Sequence, residues 1–335
     1  MPSRQFLVLE RNPIGHRANY AHTAASILDA RCVIGFSRNA LVDAVAVRHL
    51  LITTFESAPA IYLALLIVRA LIGRRSTVIL TRSHVRSTGT SFRAVLKRAG
   101  HSLLRRLPGA QRLTITPPDD MADAQDATYI EDIEFWDLPA DILSDTVPTA
   151  LSQRAIRLAD GRPIILVTGT LERSKGLVFF TSLLAAQPGL RDRFAIIGAG
   201  LVDPGARGLL APLAEIADLW EDRYLDDDEI YSLYAVATAV WCCYDPSYDV
   251  SSGVFGRAVQ FARPTIVRTG SIIARIQDRL SWGLKLDYAD VAGSASRLMD
   301  WHPVKGVPIS RYRDGAARLH DLIEGHAEPA AREKN

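Results

Sequence analysis

The chain has little cysteine, no long uninterrupted apolar run and no residue spacing that suits a metal. Three cysteines in 335 residues, Cys32, Cys242 and Cys243, cannot staple a small secreted fold. Two of them are adjacent in an apolar run and read as small core residues, which suits a reducing cytoplasm. The most apolar segment, Ala58 to Ile72, is broken by Arg69. It falls short of the roughly 20 residues a membrane span needs, so it reads as a buried helix. The first apolar run, Phe6 to Leu9, is closed by Glu10 and is too short for the core of a signal peptide. No His-x-Glu, no Cys-x-x-Cys and no Asp-x-Asp at a strand end occurs, so the expectation is no metal and no resident cofactor. Repeats, low-complexity tracts and coiled-coil heptads are also missing.

What is present is an ordinary globular composition, 48% apolar and 23% charged, in a length that favours two domains. Short apolar runs alternate with helical patterns. Strands are expected at Phe6–Leu9, Cys32–Ile34, Leu51–Thr54, Thr77–Thr81 and Leu113–Thr116, with helices at Ala18–Asp29, Ala40–Arg48, Pro59–Ile72 and Ser91–Leu107. Pro139 and Pro148 punctuate a linker. A second series follows: strands at Ile164–Thr168, Phe194–Ile197, Ala239–Cys243, Thr265–Val267 and Leu284–Leu286, with helices at Leu177–Ala186, Asp227–Val236, Val254–Ala262, from Asp290, and near Ile309–Ile323. This rhythm predicts an α/β fold of two Rossmann-like, doubly wound parallel-sheet domains facing a cleft, residues 1–148 and 149–335, the second carrying the C-terminal helix. Ligands of such sheets sit beyond the carboxyl ends of the strands.

Four loops at those ends carry candidate chemistry. Gly169 to Gly176 holds Arg173 and Lys175 just before a helix, where two cations and the helix dipole suit a diphosphate; a solvated loop with two surface cations reads equally well. It lacks the glycine spacing and Lys-Ser/Thr pair of a Walker loop. Ser251-Ser252-Gly253, flanked by Asp249 and Arg257, is a small-residue turn before a helix, fit for an anion or for plain capping. Gly15-His16-Arg17 follows the first strand and could orient a sugar or acceptor, or could be a turn. Arg82-Ser83-His84 follows the fourth strand, where His84 could assist proton movement or be incidental. The acid run Asp226 to Glu229 precedes a helix, and acids in a first turn suit the helix dipole, so it reads as structural.

The net charge of +2 hides a strong polarity. Arg82 to Pro118 holds eight basic residues and no acid; Asp119 to Asp145 holds ten acids and no base. The basic stretch includes an amphipathic helix with Arg93, Lys97, Arg98, Arg105 and Arg106. Such a helix suits an anionic membrane surface or a solvated face; no aromatic interleaving or motif points to nucleic acid.

Together the segment Val167-Thr168-Gly169-Thr170 to Lys175-Gly176, the run Ile197-Gly198-Ala199-Gly200, Leu225 to Tyr234 and the Ser251-Ser252-Gly253 turn resemble the donor domain of GT-B glycosyltransferases, most like the GT4 group. The likeness spans roughly Pro163 to Asp300. It implies metal-independent sugar transfer from a UDP- or GDP-linked sugar. Arg173, Lys175, Ser251, Ser252 and Gly253 would then hold the diphosphate, Asp249 and His84 would be catalytic, and Gly15, His16 and Arg17 would meet acceptor or sugar. The family's two motif acids, eight positions apart, correspond to Asp249 and Arg257, so the second acid is here a cation that could contact nucleotide or phosphate. The expected acceptor is lipid-linked or a polysaccharide, and the expected place is the cytoplasm, peripheral on the inner face of the plasma membrane. A catalytically silent nucleotide-sugar-binding or partner-binding protein is the alternative, and a peripheral membrane scaffold the third class.

Overall fold

The alternating pattern builds two parallel six-stranded sheets. The computed structural model describes residues 3–13, 16–81, 92–117, 127–280, 282–304, 306 and 314–325, without the side chains of 3, 4, 16 and 92–98. Two compact units result, one of residues 1–137 with 311–335, the other of 138–310.

In the first unit the order is β1 (Ser3–Glu10), α1 (His16–Ile27), β2 (Ala30–Ile34), α2 (Arg38–Ala46), β3 (His49–Ile52), α3 (Pro59–Leu71), β4 (Arg75–Leu80), α4 (Phe92–Arg106), β5 (Ala110–Thr114) and β6 (Thr128–Tyr129). The sheet runs β2-β1-β3-β4-β5-β6, all parallel. The period of two is visible in its burial. Leu7, Leu9, Leu50, Ile52, Val78 and Leu80 face a core shared with α2, α3 and α4, while Val8, Leu51, Ile79 and Leu113 face a core shared with α1.

α3 is not buried all round, as its composition suggested. Tyr62, Leu65, Leu66 and Arg69 are buried, whereas Ile61, Val68, Leu71 and Ile72 are exposed. Arg69, which interrupts the apolar run, is fully buried. Its guanidinium donates to the Ser76 hydroxyl (2.8 Å) and to the carbonyls of Ala44, Val45 (3.2 Å) and Val47 (3.0 Å), where α2 ends. An orphaned helix end is thus satisfied by a side chain. Among the described residues no helix is long and apolar enough to cross a membrane.

His49 is buried beside this arginine, with Nε2 2.8 Å from the Thr77 hydroxyl. Burial first, then the charges of Arg69, Arg75 and Arg48, lower its pKa from 6.5 to about 4. The folded protein therefore keeps the ring neutral where the unfolded chain protonates it. Stability contributed by the neutral ring is whole above pH 6.5 and is lost as pH falls through that window. By about pH 4.5 the loss should reach about 2–3 kcal/mol. Urea melts at pH 7 and pH 4.5 should show a pH dependence smaller by this amount in His49→Gln; equal dependence in both proteins would contradict the assignment.

The second unit contains α5 (Ala140–Asp145), α6 (Ala150–Ala159), β7 (Ile164–Thr168), α7 (Leu177–Ala186), α8 (Leu190–Arg193), β8 (Ala195–Ala199), α9 (Arg207–Ile216), β9 (Leu219–Glu221), α10 (Asp227–Val236), β10 (Ala239–Cys242), α11 (Gly253–Gln260), β11 (Thr265–Arg268), α12 (Ile272–Asp278), β12 (Leu284–Leu286) and α13 (Val291–Asp300). The strand order β12-β11-β10-β7-β8-β9, all parallel, is the Rossmann order with its reversal between β7 and β10. The acid run is structural, at the start of α10, where Asp226 and Glu229 also form a capping box.

The division differs from the expected 148/149 boundary. The chain leaves the first unit after Asp137, and its last helix, α14 (Gly315–Glu324), returns to it. The polar α14 carries a narrow apolar stripe, Leu319 and Ile323, that closes the core beside Ile130 and Ile133. Gln111 donates to the Leu322 carbonyl at 2.9 Å.

Candidate functional site

The reversal of strand order in the second sheet separates the loops after β7 and β10 from the helices' usual cover, and there the candidate residues meet. Hydrogen bonds tie the first loop to β10 and to the loop that follows it. The Asp245 amide donates to the Ser174 carbonyl (3.0 Å), and the Trp241 indole donates to the Lys175 carbonyl (3.0 Å). Gly176, at φ 67°, ends the first loop so close to the second that a Cβ there would lie 2.0 Å from the Cys243 carbonyl oxygen. Gly200, after β8, approaches Gly169 equally closely, so the loop after β7 is pressed by the loops on either side of it.

Lys175 is the residue this packing positions. It is only 9% exposed, and its ammonium lies 4.6 Å from the centre of the Tyr244 ring and 5.0 Å from that of Tyr248. The two rings meet edge to face at 5.4 Å. Two aromatic faces attract an ammonium through their quadrupoles, so this packing suits a cation held at the end of β7. Tyr244 is held well above the usual phenol range by burial and by Cys242, so it stays neutral. Arg173 begins the same turn and is exposed.

Ser252 is the residue before α11, but its side chain does not cap the helix. The hydroxyl instead pairs with the Tyr244 hydroxyl at 2.7 Å, in a buried position. Its contribution to an anion site is thereby through backbone: Gly253 opens α11, whose first amides are the ones an α-helix leaves to outside partners. Asp249 is an anchor. Its Oδ1 accepts from the Ile272 amide (2.9 Å) at the start of α12 and lies 3.3 Å from Arg268. Arg257 stands half-buried on α11.

Beside the turn is an open recess of about 520 Å³ lined by Glu172, Arg173, Ser174, Asp203, Asp245 and Ser247, among others. Asp245 lies below the usual carboxylate range. Burial pushes it up, but hydrogen bonds from the Ser247 hydroxyl (2.6 Å) and amide and from the Tyr288 hydroxyl, with the Arg173 charge, pull it further down. Cys242 is inert by comparison, its thiol pushed up to about 12 by burial.

Other expected site residues fall elsewhere. Gly15 and His84 lie outside the described residues, as do the side chains of His16, Arg93, Lys97 and Arg98. Arg17 is in the first turn of α1, and Arg105 and Arg106 are exposed in the last turn of α4. Tyr244, Tyr248, Asp245 and Arg268 were not expected. Their one signal in the sequence is position, at or just beyond the carboxyl ends of strands.

No protein-family model and no curated protein matches the chain. Solved structures do match. An α,α-trehalose-phosphate synthase (UDP-forming) from Burkholderia xenovorans, in complex with glucose-6-phosphate, superposes with a TM-score of 0.62 at 11% identity, over 96% of this chain and 98% of that one. Sucrose-phosphate synthase from Thermosynechococcus elongatus gives 0.60 at 13%, over 95% and 96%. A putative UDP-N-acetylglucosamine 2-epimerase from Listeria monocytogenes gives 0.56 at 13%, over 99% of both. The chain has the GT-B fold of these proteins, as the motif resemblance implied. Since one of the three is named for epimerisation rather than transfer, the fold alone does not assign the chemistry.

Proposed function

We propose that the chain is a glycosyltransferase that takes a sugar from a nucleoside-diphosphate donor bound at the β7–β10 reversal. The observation that carries this reading is Lys175, a buried cation held between two tyrosine rings beside the start of α11. In the transfer, the bond from the sugar's anomeric carbon to the diphosphate breaks and an acceptor oxygen takes its place. Negative charge then collects on the departing diphosphate. Lys175, Arg173 and the amides at Gly253 supply positive potential there, so the reading needs no metal and no further cofactor. Asp249 acts through position, fixing α12 beside the turn, and Arg257 adds a third cation, on α11. The fold relatives are named for UDP and for sugar phosphates, which makes UDP the first nucleotide to try. The acceptor of this reading is lipid-linked or a polysaccharide, met at the cytoplasmic face of a membrane, with His84, Gly15, His16 and Arg17 on the acceptor side.

Thermal melts with UDP, GDP and a panel of their sugars test the site. Millimolar UDP or GDP at about 100 times its dissociation constant should add about 2.7 kcal/mol of stability. Release of UDP or GDP from a donor, faster with a glycan or sugar-phosphate acceptor, supports transfer. Stabilisation without turnover on any acceptor supports the silent binding protein, and no response to any nucleotide rules out both.

A further inference from the structure

The outer surface of α3 is a second feature that the donor site does not use. Ile61, Ala64, Val68, Leu71 and Ile72 are exposed at the spacing of one helix face, with Leu71 at 81% and Ile72 at 53%. α2 and α4 lie in the same layer, since all three helices cover one core, and they add exposed Val42 and Leu103. Single exposed apolar side chains are normal, but a connected set on one helical layer marks a contact surface.

The charge around this stripe names the partner. Residues 57–118 contain no Asp or Glu, and of their eleven Lys and Arg, four are described as exposed: Arg74, Arg75, Arg105 and Arg106. α2, α3 and α4 end at the edge of the sheet where β3, β4 and β5 begin, and exposed Arg48, Arg74, Arg75, Arg105 and Arg106 stand at those ends. Leu71 and Ile72 project at the same edge. The acid that α2 carries, Asp43, is paired with Arg31 at 2.6 Å. An apolar stripe bordered by arginines complements a surface that is anionic outside and apolar just beneath.

We propose that this face docks on an anionic phospholipid bilayer, with α3 supplying the main apolar contact. Ile61, Val68, Leu71 and Ile72 enter the boundary between headgroups and acyl chains, and the arginines at the helix ends meet lipid phosphates. The inference does not rest on glycosyl transfer and holds for a silent binding protein equally.

Flotation of the full chain with vesicles tests it, without donor or acceptor. Vesicles of phosphatidylglycerol and phosphatidylcholine (about 3:7) at about 0.1 M salt should carry the protein up, and pure phosphatidylcholine should not. Leu71→Ser with Ile72→Ser should lower partitioning about tenfold or more, because both side chains leave the apolar boundary. Arg74→Ser with Arg75→Ser should lower it about fivefold per arginine and flatten its salt dependence. All four side chains are exposed, so thermal melts should not change. The proposal is overturned if the wild type binds neither vesicle, or if the Leu71/Ile72 variant floats as well as the wild type. It is also overturned if light scattering finds a dimer that this variant splits with no effect on lipid, which would assign the face to a second copy.

Discussion

Lys175→Met should keep the fold and remove the response to nucleoside diphosphates. The side chain contributes cation–π contacts of about 0.5–2 kcal/mol, partly offset by the cost of keeping an ammonium buried. A modest fall in melting temperature is therefore expected, and circular dichroism should be unchanged. Binding is different. A buried ammonium facing a diphosphate makes charge-assisted contacts of about 1.5–3 kcal/mol, so affinity for UDP or GDP should fall roughly 10- to 100-fold. Transfer should fall further, about 10²- to 10³-fold, since charge on the leaving group grows as the bond breaks. Arg173→Met is the internal comparison: Arg173 is exposed, its field is screened by water, and its loss should cost much less. A Lys175→Met protein with an undiminished nucleotide shift would place the donor elsewhere, and would leave the tyrosine-flanked ammonium a structural feature of the loop. Tyr248→Leu separates these roles in a second way. It takes one ring from the ammonium without touching its charge, so nucleotide affinity should shift little while the loop loosens.

The parts of this site differ in how far they could be read from residues alone. The loop Gly169 to Gly176 and the helix after it stand where periodicity put them: β7 and α7 match their expected bounds residue for residue. The pairing of Lys175 with Tyr244 and Tyr248 was not legible, because it depends on β7 lying beside β10. That adjacency is set by the crossover order of the sheet, which leaves no local trace in the sequence. α9 was missed for a plainer reason, as Pro212 sits inside it and proline ordinarily argues against a helix interior. α5 lay inside the linker that Pro139 and Pro148 punctuate, and α6, just beyond Pro148, was not expected although its Thr149 and Ser152 form a reciprocal cap. Arg69 marks the opposite case. A cation in an apolar run correctly argued against a membrane span, but nothing local announces that it closes the end of α2. The apolar outer face of α3 was obscured similarly: a helix apolar all round reads as buried, and only the sheet's other layers show which side is left uncovered.

Gly176→Ala should be among the most damaging single-methyl additions in the second unit, and the reason can be divided by experiment. Two costs are present at this position. The backbone is at φ 67°, where a side chain costs roughly 1 kcal/mol. The added Cβ would also lie 2.0 Å from the Cys243 carbonyl oxygen and 3.0 Å from its carbon. Both are backbone atoms of the segment that leads out of β10, so no side chain can rotate away. Relief requires the loops after β7 and β10 to part, which strains the Asp245–Ser174 and Trp241–Lys175 hydrogen bonds. Gly161 provides the control. It has φ 77° and nothing within 4 Å of an added Cβ, so Gly161→Ala carries the first cost without the second. At about 2–4 °C per kcal/mol for a unit of this size, Gly161→Ala should lower the melting temperature by about 2–4 °C. Gly176→Ala should cost roughly 3–4 kcal/mol in all, or about 6–16 °C. Equal melting temperatures for the two variants would mean the loops are free to separate, and Lys175 would then not be fixed between its tyrosines. If Gly176→Ala instead folds with the expected deficit, its nucleotide affinity should fall more than its stability explains. In the proposed donor site, the methyl group would push apart the two loops that hold the ammonium and lead to the first turn of α11.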